Sequence, residues 1–213
     1  MSWVTTVLVI AAVVIAVDAA ATVVLQRIAG REVSRVIGAG ASVRLRGWPA
    51  ALRLATGLTT SARIVATEVP VEPTTIARLQ IDLEGVRRSG DAHGEERHHL
   101  AVRSGRYSAR IDDDALAALM PAPVRDVHVG DGRVRFSFPG DVTVDTAVEV
   151  QDGVLLLRPV AGRIGVVDLL RITPPIGELP FGATIADVET VSGALVVHGC
   201  VQGVTLGAAD ASR

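Results

Sequence analysis

The sequence is poor in aromatics, has no lysine and carries one cysteine. Aromatic residues are 3% of its 213 positions although 49% are hydrophobic, so the apolar mass is Val, Ala, Leu and Ile. Val is β-branched and suits a pleated, half-buried surface, which leans the composition toward sheet. Cys200 alone excludes an internal disulfide framework and a cysteine-based zinc site. The 21 basic residues are all Arg, against 23 acidic ones, a net charge of −2 that supplies no general drive toward nucleic acid. The sequence also lacks Gly-x-Ser-x-Gly, a Walker loop and His-Glu-x-x-His, and no cofactor is implied.

What is present begins with grease. Trp3 to Val17 is interrupted only by Thr5 and Thr6; after Asp18, Ala19 to Leu25 continues with only Thr22 polar. A helix crossing the hydrocarbon needs about 20 apolar residues, so residues 1–25 read as a transmembrane anchor. A cleaved signal peptide is the alternative, with Ala19 and Ala21 as a small-x-small site, although Met1-Ser2 lacks a basic side chain. Arg27, Arg31 and Arg35 follow the segment, and by the positive-inside rule alone they would keep the domain cytoplasmic. Beyond the anchor, Leu25, Ile28, Ala29, Val33, Val36 and Ile37 recur at helical spacing until Gly38 and Gly40 stop the helix.

Period-two patterning then takes over. Leu79 to Glu84 and Arg133 to Phe138 alternate apolar and polar residues, the sign of a sheet with one dry face. Gly130-Asp131-Gly132 and Asp152-Gly153 read as hairpin turns, giving Asp126–Val129 against Arg133–Phe138 and Val142–Val150 against Val154–Leu157. Thr184–Val191, Ala194–Val197 and Val201–Leu206 form a last strand group. Short helices are expected after the acidic run Asp112–Asp114 and over Val166–Leu170. Short loops between strands imply antiparallel neighbours, so the class is α+β, with one domain over 26–208 and a tail at 209–213.

The candidate sites each have an ordinary explanation. His93, Glu95, Glu96, His98 and His99 could hold a metal, yet they sit among Ser89, Gly90, Asp91 and Gly94, a loop that presets no geometry. Asp112-Asp113-Asp114 lacks calcium-loop spacing and fits a helix start. Gly38-Ala39-Gly40 follows a helix instead of a strand, the wrong setting for a dinucleotide. No metal site is assigned. Arg27, Arg31 and Arg35 line one helical face and are candidate headgroup contacts. Trp48, in Gly47-Trp48-Pro49, suits either a bilayer interface or a core corner.

The order of these pieces carries a resemblance. An apolar helix, a short strand, Gly47-Trp48-Pro49, a strand group ending in Leu83-Glu84-Gly85-Val86, Ile111-Asp112, paired hairpins and Leu179-Pro180-Phe181-Gly182 resemble the actinobacterial LmeA-like phospholipid-binding family from about Ala19 onward. That resemblance implies half of a tubular, BPI-like lipid-binding module, a strongly curved antiparallel sheet wrapped around the long N-terminal helix. It also implies a non-enzymatic phospholipid-binding protein on the envelope side of the membrane, serving envelope lipid or lipoglycan maintenance. Ala50 stands where the family usually has a large apolar residue after the Pro. Acyl chains are expected against Val33, Val36, Ile37, Phe136 and Phe138, with Trp48 and Phe181 near an opening. Two rivals remain: a membrane-anchored scaffold with a solid core, and a hydrolase gathering Asp and His from separate strands.

Overall fold

The computed structural model of the chain describes residues 3–47, 49–89, 99–120, 124–161 and 183–206. The apolar run and the amphipathic stretch after it form one continuous helix, α1 (Trp3–Ile37), of 35 residues. No proline or glycine interrupts it before Gly30. At its end the Gly38 N–H donates to the Ser34 carbonyl at 3.0 Å. The Ser34 hydroxyl then accepts the Ala41 N–H at 2.9 Å, handing the chain to the first strand.

In chain order the remaining elements are β1 (Ala41–Arg46), α2 (Ala50–Ala55), β2 (Thr60–Val71), β3 (Thr74–Ser89), β4 (His99–Asp112) and α3 (Asp113–Ala118). They are followed by β5 (Asp126–Gly130), β6 (Arg133–Phe138), β7 (Val142–Gln151), β8 (Val154–Ala161), β9 (Thr184–Val191) and β10 (Ala194–Leu206). The class is α+β, as expected. The strands, however, divide into two open antiparallel sheets instead of one: six strands in the order β1-β2-β3-β4-β10-β9 and four in the order β5-β6-β7-β8. The hairpin turns do fall at Asp131-Gly132 and Asp152-Gly153, all four residues at positive φ. Strand β10 runs unbroken through Gly199, where a gap was expected, because a bulge at His198/Gly199 absorbs the irregularity. The expected helix over Val166–Leu170 and the loop histidines 93 and 98 lie outside the described residues.

Each sheet has its own core. Under the six-stranded sheet lie Val43, Ile64, Ile76, Leu79, Ile81, Leu83, Val86, Val102, Tyr107 and Val201, with Ala29, Val33 and Ile37 of α1 packed against them. Under the four-stranded sheet lie Val127, Val129, Val134, Phe136, Phe138, Val144, Leu155 and Leu157, closed by Leu116 of α3 and by Ile185, Leu195 and Val197. The acidic run opens α3 without capping it in the expected way. Asp112 makes no side-chain cap and instead accepts from Arg110 Nε at 3.0 Å, while Asp113 Oδ1 accepts the Val129 N–H at 3.1 Å. The first-turn carboxylates still suit the helix dipole, and Asp113 also ties α3 to β5.

Candidate functional site

Helix α1 meets the sheet along a stripe set by 3.6-residue periodicity. Leu25, Ala29, Val33 and Ile37 are half-buried on that side, together with Thr22, Gln26 and Ser34, and Gly30 is buried. Gly30 faces the start of β1, where a Cβ would make an ordinary contact with the Ala41 carbonyl oxygen at 3.4 Å. The stripe expected from the sequence is therefore split. Ile28 and Val36 face outward, with Val36 70% exposed, because Gly30 and Ser34 hold the sheet side. The seam that results is apolar and only half closed.

The candidate residues do not gather in one place. Val33 and Ile37 pack on the six-stranded core. Phe136 and Phe138 belong to the other core, their ring centroids 6.5 Å apart. Trp48 and Phe181 lie outside the described residues. Arg27, Arg31 and Arg35 are all exposed along α1, as their spacing implied, and Arg35 Nη1 pairs with Glu32 at 2.7 Å. Among the described residues no cluster of His, Cys, Asp and Glu is arranged to hold a metal.

Three features went unread in the sequence. Asp18, the one charge in the apolar run, is buried, and its Oδ1 accepts the Leu52 N–H at 3.0 Å. Leu52 is the third residue of α2, whose Pro49 N-cap position offers no side-chain bond, so Asp18 serves as the cap from another helix. Helix α2 is the second unread feature. The third is Tyr107, buried with a hydroxyl that finds no hydrogen-bond partner among the described residues. Its burial pushes the phenol up to about 12. Gly199 on β10 makes room for the ring: a Cβ there would overlap Tyr107 and the Thr184 carbonyl.

On the outer face, cross-strand pairing places Arg44, Arg63, Asp82 and Arg106 in one row over β1 to β4. Arg63 holds Asp82 through Nε and Nη2, the latter at 2.9 Å, and Gln80 Nε2 adds a third bond at 2.9 Å. The Arg63 hydrogen bonds hold the Asp82 carboxyl below its ordinary range. Among the described residues Arg44 and Arg106 have no carboxylate partner within ion-pair distance, which leaves the row net positive.

The motif glycine Gly85 also has a structural reason. It adopts φ +68°, and a Cβ there would lie 2.7 Å from Arg103 Cβ on the neighbouring strand. Only glycine fits beside that arginine.

An apolar N-terminal helix seated on an open antiparallel sheet defines a class of architecture, α+β, and not by itself an activity. Residues 13–200, most of the chain, match the family model described as LmeA-like phospholipid-binding, and the chain belongs to that family. Neither a curated protein nor a solved structure matches it. The family supports lipid binding in general.

Proposed function

We propose that the protein binds phospholipid without catalysing a reaction, holding acyl chain between α1 and the dry face of the six-stranded sheet. The observation that carries this is a difference in packing. Among the described residues, the largest completely shielded side chains (Phe136, Leu116, Leu155 and Leu195 foremost) all belong to the core that the four-stranded sheet shares with α3 and with the β9–β10 edge of the six-stranded sheet. The large side chains on the inner face of β3 keep a little surface, from Ile76 at 2% to Leu83 at 9%. An apolar wall whose covering helix is only half-buried suits an apolar guest, each buried CH₂ contributing about 0.8 kcal/mol. The Tyr107 hydroxyl is the polar handle, donating to an ester or phosphate oxygen of the bound lipid.

On this reading Val33 and Ile37 border the guest, Val36 does not, and Phe136 and Phe138 serve the second core. Helix α1 is the one described helix long and apolar enough to cross a membrane. We take it as a retained anchor, because cutting after Ala21 would remove Asp18 and strip α2 of its cap. The domain then stands on the envelope side, with Arg27, Arg31 and Arg35 toward headgroups and a role in envelope lipid or lipoglycan maintenance. The curved, BPI-like wrap belongs to the same proposal.

Adjacent residues supply the test. Ile37→Glu puts a carboxylate into the seam and is expected to empty it of lipid, whereas Val36→Glu, one position earlier and exposed, leaves lipid content unchanged. Mass spectrometry of phospholipid retained by the purified full chain reads both. Equal retention by the two variants would contradict the seam.

A further inference from the structure

Among the described residues, large hydrophobic side chains with substantial exposure concentrate on α1 and on α2 with the turn after it. Val13, Val14, Ile15, Val17, Val23, Val24, Ile28 and Val36 lie on α1, Leu52 on α2 and Leu58 in the turn that follows; only Val160 lies elsewhere. The two groups are neighbours, because α2 is clipped to α1 through the Asp18–Leu52 hydrogen bond. That clip falls inside the exposed apolar band of α1, with Val17 before it and Val23 and Val24 after it.

Asp18 is shielded, so the first charge that α1 presents outward beyond the clip is Arg27. A membrane span that ended at Asp18 would leave Val23, Val24 and Ile28 in water. A span that reaches Arg27 brings α2 to the depth of the lipid.

Helix α2 is built for that position. Ala50 and Ala51 are buried against the protein while Leu52 points away from it. Its early N–H is satisfied by Asp18, its terminal Thr56 N–H by the Leu52 carbonyl at 2.9 Å and the Thr56 hydroxyl by the same carbonyl at 2.8 Å. Polar backbone entering lipid must be satisfied internally, and these bonds meet part of that demand at both ends of α2. Two arginines accompany it: Arg46 is exposed at the end of β1, and Arg53 of α2 itself has an Nε with no partner among the described residues.

We propose that α2 and the Leu58 turn form a wedge seated in the interfacial layer of an anionic phospholipid bilayer, beside the anchor and under the six-stranded sheet. This rests on α1 being a membrane anchor, and it places the half-closed seam directly against the lipid supply. The wedge does not depend on a lipid being held in the seam.

The full chain carrying Cys200→Ser and a single new cysteine (Val14→Cys, Leu52→Cys, Leu58→Cys or Asp131→Cys) would be labelled with an environment-sensitive fluorophore. It would then be reconstituted into phosphatidylcholine and phosphatidylglycerol vesicles. Doxyl-labelled lipid should quench positions 14, 52 and 58 severalfold more than position 131 on the β5–β6 turn, and aqueous iodide should show the reverse. Labels at 52 and 58 that iodide reaches as freely as 131, with 14 still in lipid, would overturn the wedge and leave the anchor standing. Iodide access at 14 as well would overturn both.

Discussion

The two halves of the protein use the same materials and pack them differently. The four-stranded half buries Phe136 and Leu155 almost completely and is closed over by α3 and by Leu195 of β10. The six-stranded half is equally apolar but built on Ala62, Ala66, Ala109, Gly105 and Gly199, with a helix whose contact stripe is only half-buried. One core is finished by its own side chains. The other has the composition of a core under a helix that stays half-buried, the difference on which the proposed lipid site rests.

The largest effects should separate the halves by stability. Phe136→Ala removes a fully shielded ring and is expected to cost about 3–5 kcal/mol, whereas Leu83→Ala should cost about 2 kcal/mol, the low end for a buried Leu. Denaturant midpoints measured without added lipid check this, and equal losses would erase the contrast. Next comes Asp18→Leu, which removes the cap of α2 and is expected to cost about 1–2 kcal/mol, while Asp18→Asn keeps an accepting oxygen and costs less. Thermal unfolding of the full chain in one fixed detergent reads both.

Tyr107→Phe should change stability little or raise it, since it deletes a buried hydroxyl left unpaired among the described residues, while lowering lipid retention. The chain has one Tyr, so tyrosinate absorbance reports this group alone. Its folded value of about 12 lies above the ordinary 10, so the unfolded chain ionises first. Stability is full below pH 10 and falls as pH rises toward 12; Tyr107→Phe should flatten that fall, with tyrosinate absorbance as the check. The smallest effect is acid. Asp82 in one half and Asp145 in the other are both held low by their arginines. Each adds stability above the ordinary carboxylate value that is lost as pH falls through its lowered one. Both pairs are partly exposed, so Asp82→Asn and Asp145→Asn should each blunt acid unfolding only slightly.

What the sequence revealed was local, and what it hid was long-range. The β5–β6 and β7–β8 hairpins were readable because Asp131-Gly132 and Asp152-Gly153 carry their turn chemistry with them. Strand β4 was not, because its inward residues include Gly105 and Ala109, too small to give a strong alternation. Helix α2 was hidden because its cap comes from Asp18, 34 positions earlier. The division into two sheets depends on pairing partners distant in the chain, β4 with β10 above all. The stripe on α1 was read correctly in period and wrongly in phase at Ile28 and Val36, since apolarity alone does not say which side Gly30 will bring to the sheet. Phe136 and Phe138 were placed beside α1 for their size; they fill the other core.

The most direct measurement is photocrosslinking from phospholipid with a diazirine in its acyl chain, on the full chain in vesicles, followed by peptide mapping. Adducts on Leu79–Val86 and Val102–Ala109, the inner wall of β3 and β4, with none on Val134–Phe138, are the predicted result. Adducts confined to the exposed face of α1, with both cores untouched, would mean that the protein meets lipid only as an anchor and holds none.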